Sequence, residues 1–164
     1  MKKFFLAIEQ RTTAVALMGA CAMLAVASGL GMFQVVARFL LEMTAEWSEV
    51  LVRFCLIWMV FLAIPAAFRR GAMVSVDALN RRCGTRGRLL LKSVAALAAV
   101  TLMIIVIWWG WDYAVRSQVQ SMAGLENVSM FWAYLAMPVG GVFSLLSITG
   151  HWLDPQNAEL ENAQ

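Results

Sequence analysis

Three charged residues near position 50 have the spacing best suited to a specific ion contact. Glu46, Glu49 and Arg53 lie at i, i+3 and i+7, which places them on one face of a helix. Glu49 and Arg53 are also an i,i+4 pair with the acid first, the favourable order. Both side chains could extend into the outer lipid headgroups beside Trp47, or they could form a polar patch that docks another membrane subunit or a neighbouring helix. The residues alone leave both interpretations open.

The sequence contains no recognisable set of catalytic, cofactor-binding or metal-binding residues. The three cysteines, at positions 21, 55 and 83, form no C-x-x-C pair. The one histidine, His151, falls short of the two ligands of a bis-His haem bundle and the three or four of a zinc site. There is no H-E-x-x-H motif and no Gly-rich phosphate loop, and no serine has a plausible base. The sequence therefore predicts no enzyme activity, no catalytic residues, no cofactor and no metal site.

Composition decides the class of protein that must position these residues. Of the 164 residues, 62% are hydrophobic and 14% are charged, against about 45–50% and about 25% in soluble domains. That balance excludes an ordinary soluble domain, a disordered chain and a nucleic-acid-binding protein. The sequence predicts an integral membrane protein.

Uncharged runs divide the chain into four membrane spans. Residues 12–37, 93–111 and 127–153 carry no formal charge, and these runs are about as long as the roughly 20 helical residues that cross a hydrocarbon core. The remaining run, 54–68, is the second along the chain and has only 15 residues. It makes about 22 Å of helix, whereas the hydrocarbon core is about 30 Å thick. The second span must therefore draw in Arg53 and Glu49. Trp58 would then lie well inside the membrane, where contact with protein suits it better than lipid.

The basic residues indicate how the spans are oriented. Ten of the thirteen lie before span one or between spans two and three, and Lys and Arg concentrate on the cytoplasmic side. We therefore expect an all-α membrane protein with four transmembrane helices, both termini cytoplasmic and short amphipathic segments in the loops. The spans are about 12–37, 48–68, 92–112 and 128–152, in one unit over 1–153, with a polar cytoplasmic tail over 154–164. The segment 74–82 would contact anionic membrane lipids.

A self-contained small transporter or homo-oligomeric channel is the alternative function. Small ion-coupled exporters need an ionisable residue deep in a span, because that group binds and releases the coupling ion. Spans one, three and four contain none within these boundaries. Inverted repeats are also absent, although Pro65 and Pro138 could each open a local kink. A haem-bearing respiratory anchor subunit lacks the histidines it needs.

The motifs around the second span resemble the small membrane subunit (DctQ-like) of tripartite ATP-independent periplasmic (TRAP) transporters. The similarity is strongest from about 47 to 79 and weaker across 118–146. It is carried by Trp47-Ser48-Glu49, Arg53, Trp58, Arg69-Arg70-Gly71 and Val74-Ser75-Val76-Asp77-Ala78-Leu79, and in the fourth span by Tyr134, Pro138 and Gly140-Gly141.

This resemblance implies an accessory subunit in the cytoplasmic membrane of a bacterium or archaeon. Its partners would be a large permease and a periplasmic substrate-binding protein, and sodium would drive uptake of an organic acid. The resemblance gives structural or subunit-interface roles to Trp47, Glu49, Arg53, Trp58, Asp77 and Pro138. We expect Glu49 and Arg53 to be held together at a helix contact. On the outer side, Asp112, Glu126 and the 117–127 loop would help to receive the binding protein.

Overall fold

The computed structural model describes residues 2–40, 46–69, 85–122 and 125–153. The long helices are α1 (Lys2–Leu40), α2 (Glu46–Arg69) and α3 (Thr85–Arg116). A 3-10 turn (Ser117–Val119) and strands β1 (Ser121–Met122) and β2 (Leu125–Ser129) follow. The short helix α4 (Phe131–Tyr134) then precedes α5 (Ala136–Leu153). Asp77, the predicted amphipathic segment and the 154–164 tail lie outside the described residues.

Four helical segments are long and apolar enough to cross a membrane: Phe5–Leu40, Trp47–Arg69, Ser93–Val119 and Phe131–Trp152. The predicted number of membrane helices is therefore confirmed. The first helix is much longer than expected, because 39 residues make about 58 Å of helix and a hydrocarbon core needs only about 30 Å. The second continues to Arg69. The last begins at Phe131 rather than 128, because the preceding residues belong to β2.

Helix α5 lies at the centre of the unit. It packs against α1, α2 and α3, and α1 also packs along α2. Helix α3 makes its extensive helix contacts with α4 and α5 among the described residues. A small apolar core joins α3 to α5, formed by Ala99, Met103 and Ile148 with Phe68, Val100 and Leu145 against it. The other three spans are thus grouped around α5.

Two neighbouring glycines let α5 approach a helix on either side. A Cβ on Gly140 would lie 2.6 Å from the carbonyl oxygen of Phe61 in α2, and one on Gly141 would lie 2.6 Å from Cγ1 of Ile107 in α3. Pro65 has no N–H to donate to the Phe61 carbonyl, four residues earlier. Gly140 therefore packs directly over a backbone oxygen that has lost its usual helical donor.

Pro138 explains the interruption between α4 and α5. It lies in the first turn of α5, where proline is tolerated, and it cannot donate to the carbonyl of Tyr134. Regular helix stops at Tyr134 and resumes at Ala136, with the Leu135 N–H still donating to Phe131 O at 2.9 Å. The proline marks the start of a helix and does not bend one in its middle.

A short antiparallel hairpin lies in the connection between α3 and α4 of the otherwise helical unit. Ser121 pairs with Ser129 and Met122 with Leu125, with a shift of register between the two pairs. Backbone N–H of Met130 donates to Gln120 O at 2.9 Å, and the Ser129 hydroxyl donates to Gln118 O at 3.0 Å. These bonds tie residues 129 and 130 to the described residues 117–120 at the end of α3.

Candidate functional site

Glu49 and Arg53 form the ion pair that their spacing suggested. Nη2 of Arg53 donates to Oε1 of Glu49, within α2. The pair lies on the surface of the unit, with the arginine side chain 73% and the glutamate side chain 52% exposed. The polar face that the pair presents points away from the other helices. Its predicted role in a subunit interface stays a prediction.

Both tryptophans of the second span contact neighbouring elements. The ring of Trp47 packs against Phe33 of α1, with centroids 6.0 Å apart. Half-buried Trp58 donates its indole N–H to the carbonyl oxygen of Trp132 at 3.0 Å. The expectation that Trp58 contacts protein is confirmed, and its partner is the short helix α4.

The remaining predicted residues are spread over other parts of the unit. Asp112 forms an exposed i,i+4 ion pair with Arg116 at 2.9 Å, near the end of α3. Buried Pro138 packs its ring on the α3 backbone at Gly110. The backbone of Glu126 lies in β2, and Asp77 is outside the described residues. The predicted positions therefore do not gather into one site.

A buried ion pair at the opposite end of α2 was not predicted. Oε2 of Glu9, in α1, lies 3.2 Å from Nε of Arg69, the last residue of α2. The glutamate side chain is 1% exposed and the arginine side chain 9%. The uncharged runs 12–37 and 54–68 leave both residues just outside the predicted spans. The predicted span 12–37 contains no charged residue, but helix α1 begins at Lys2 and therefore includes Glu9.

Hydroxyl groups from α1 and α5 complete the surroundings of this carboxylate. The Thr13 hydroxyl donates to Oε1 of Glu9 at 3.1 Å. The Ser147 hydroxyl lies 3.3 Å from the same oxygen and donates to the carbonyl oxygen of Pro65 at 2.6 Å. Nδ1 of His151 lies 3.2 Å from the carbonyl oxygen of Arg69. We call this set, Glu9, Thr13, Arg69, Ser147 and His151, the polar cluster.

Gly150 makes room for the carboxylate. A Cβ at that position would lie 2.7 Å from Cδ of Glu9, a distance that real side chains do not adopt without displacement. The sequence signals for the polar cluster were present but separate: Glu9 is the one acidic residue before position 42, and Thr13, Ser147 and Gly150 are small or polar residues within apolar runs. Only the packing of α1 against α2 and α5 brings them together.

The polar cluster joins three helices through charge and hydrogen bonds. Its two formal charges are opposite and adjacent, so each offsets the cost of burying the other. Across the described ranges, no group of three or more His, Cys, Asp or Glu side chains could hold a metal ion. The arrangement is suited to holding helices in place.

Comparison with known proteins agrees with the motifs of the second span. Residues 27–156 match the family model described as "Tripartite ATP-independent periplasmic transporters, DctQ component". The chain belongs to the DctQ family. The description of this family makes it the DctQ component of TRAP transporters. The matched range includes every predicted interface residue and Arg69, but it begins after Glu9.

Two relatives are similar over most of this DctQ chain. The sialic acid TRAP transporter small permease protein SiaQ of Vibrio cholerae is 29% identical over 111 residues, which are 68% of this chain and 64% of SiaQ. The isethionate TRAP transporter permease protein DctMQ of Oleidesulfovibrio alaskensis is 27% identical over 107 residues, 63% of this chain. That match covers 16% of the longer protein. This DctQ chain thus spans just under two thirds of SiaQ and a small part of DctMQ.

Proposed function

We propose that this DctQ protein is the accessory membrane subunit that supports a large permease in sodium-driven uptake of an organic acid. The observation that carries the proposal is the exposed ion pair of Glu49 and Arg53 on a membrane helix of a DctQ chain. A charged pair facing out of an otherwise apolar helix is better accommodated against protein or headgroups than against lipid tails. The protein named DctMQ, in which the matched segment is a small part of a longer permease, supports a large permease as the partner.

The proposal includes the orientation and the other partner. The basic residues favour a cytoplasmic (inner) membrane location with both termini in the cytoplasm. The exposed pair would then lie near the outer surface, as would the hairpin and Asp112. A periplasmic binding protein that delivers the solute would meet this surface, at the 117–127 segment, Asp112 and Glu126.

Charge reversal at Arg53 tests the interface with the large permease. Arg53→Glu places two like charges side by side and should weaken recovery of the large permease in a detergent pull-down. Arg116→Glu is the matched control, because Arg116 and Asp112 form an exposed i,i+4 pair of the same kind on α3. Undiminished recovery and normal uptake with Arg53→Glu would rule out the interface role. Equal losses with both variants would show that any charge change at this end weakens the complex.

A crosslinking experiment tests the outer surface. A photoreactive amino acid at exposed Gln118 should capture the binding protein in the intact, solute-loaded system. Capture of the large permease alone would count against this surface. In liposomes that contain the whole complex, uptake should require a sodium gradient, and uptake that is equal without one would remove the sodium part of the proposal.

A self-contained transporter is a second candidate, favoured by one observation. Glu9 is a buried carboxylate, the kind of group that ion-coupled transport requires. However, the guanidinium of Arg69 occupies the position that a coupling ion would take beside Oε2, and arginine does not release its proton in proteins. Liposomes that contain this chain alone should show no ion-dependent uptake. Uptake that is abolished by Glu9→Gln would establish this second function instead.

A further inference from the structure

Much of the apolar surface of α1 faces away from the other described helices. Its uncharged stretch of 26 residues, 12–37, makes about 39 Å of helix, which exceeds a hydrocarbon core of about 30 Å by more than one helical turn. Most of its large apolar side chains are exposed, among them Val15, Met18, Met32 and Phe39. Lipid tails are as apolar as these side chains, so a slide of one turn changes their surroundings little.

Small residues repeat at some of the buried positions of α1. Ala16 is followed one turn later by Ala20, and Ala27 by Gly31. One turn of helix is about 5.4 Å. A slide of that length would keep small residues at these two contacts.

The polar cluster does distinguish one position from the next. A one-turn slide would move the Glu9 carboxylate about 5 Å from the guanidinium, the Thr13 hydroxyl would move with it, and Ser147 would be left behind. It would also take the carboxylate out of the space that Gly150 leaves open. A buried ion pair with its hydrogen bonds is the kind of interaction that fixes register, because any other register moves the buried Glu9 carboxylate away from the guanidinium in an apolar environment.

We infer that the polar cluster sets the axial register of α1 against α2 and α5. The pair between Glu9 and Arg69 selects one of several positions that the apolar surface of α1 would allow. This is a property of the chain itself and does not depend on the proposed partners. It also gives a role to a residue that precedes the segment shared with the DctQ family.

Cysteine crosslinking at the far end of α1 measures this register. Phe33 packs on Trp47 at that end, and Gly29 and Val36 lie one turn away on either side along the same face of α1. Each of these three α1 positions is changed to Cys in turn, together with Trp47→Cys, in the full chain with its native cysteines replaced. A short thiol-specific crosslinker is then applied in native membranes.

With the polar cluster intact, crosslinking should concentrate at position 33. In Glu9→Gln, Arg69→Gln and the doubly substituted variant, the yield at 33 should fall by at least about threefold relative to 29 or 36, since the buried pair no longer favours one register. Glu49→Gln removes the exposed pair of the neighbouring helix and should leave the pattern unchanged. Loss of position 33 in that control as well would overturn the inference.

The doubly substituted variant keeps the test decisive if a single variant fails to accumulate. Glu9→Gln with Arg69→Gln leaves no unpaired buried charge and keeps similar side-chain volumes. An unchanged preference for position 33 in this variant would overturn the inference, because the register would then be set by packing alone. A spread of crosslinks over adjacent turns would support it.

Discussion

Removing one partner of the pair between Glu9 and Arg69 should destabilise the protein far more than removing both. Glu9→Leu leaves a buried guanidinium without its carboxylate, and Arg69→Met leaves the carboxylate without its guanidinium. The glutamate side chain is 1% exposed, so water cannot compensate its charge once the guanidinium is removed. A buried charge that loses its partner costs about 3–5 kcal/mol, whereas replacing the whole pair by apolar residues is often neutral.

The double variant should therefore be more stable than either single variant, although less stable than the parent. It still loses the bond from the Thr13 hydroxyl to Glu9, which contributes about 1 kcal/mol. For chains of about 150–250 residues, 1 kcal/mol moves the melting temperature by about 2–4 °C. We expect Arg69→Met to melt about 6–20 °C lower than the parent, Glu9→Leu to melt lower as well, and the double variant to melt only about 2–4 °C lower.

Buried Cys55 supplies the assay. Its side chain reacts with a thiol-sensitive dye only when the helices separate, provided that Cys21 and Cys83 are first replaced by serine. Dye fluorescence during heating in mild detergent then reports unfolding of the helical unit. Glu49→Leu, which removes an exposed pair worth about 0.3–0.5 kcal/mol, serves as the control and should shift melting by less than about 2 °C. If the double variant loses the sum of the two single losses, the pair is not coupled and the reasoning is refuted.

Two other substitutions test individual contacts in the same assay. Gly140→Ala should lower stability by about 1–3 kcal/mol, because its Cβ would overlap the Phe61 carbonyl. Gly29→Ala meets open space and should be neutral or stabilising by up to about 1 kcal/mol; equal losses in both glycine variants would contradict this account of the contact. Trp58→Phe keeps an aromatic ring but loses the indole bond to α4, and should cost about 1 kcal/mol. An unchanged melting temperature would show that this bond adds nothing.

Membrane spans were predictable because they depend on properties of consecutive residues. Long uncharged runs identify segments that lipid tolerates. The run 54–68 is too short to cross the hydrocarbon core, which correctly indicated that charged residues belong to the second helix. Arg53 and Glu49 were found in that way. Arg69 also lengthens this helix, at its C-terminal end. A prediction from uncharged runs alone assigns Arg69 to a loop.

The polar cluster could not be read from the sequence because its members are far apart. Glu9 and Arg69 are 60 positions apart, and Ser147 is further still. A prediction from sequence ends a membrane span at a charged residue when no partner for the charge is known. A paired charge can be buried where an isolated one cannot. The hairpin between α3 and α4 was missed for a different reason: β1 has two residues and β2 has five, too few to show alternating hydrophobicity.

The central position of α5 has a consequence for how the protein is made. Synthesis proceeds from the N-terminus, so α1, α2 and α3 leave the ribosome before the helix that contacts all of them. Until α5 is inserted, α3 lacks its main contact surface in the unit, and the Ser147 hydroxyl cannot yet reach Pro65. The final arrangement therefore forms only after α5 itself has been translated and inserted. A ribosome that stalls before residue 136 would leave three membrane helices without the element that gathers them.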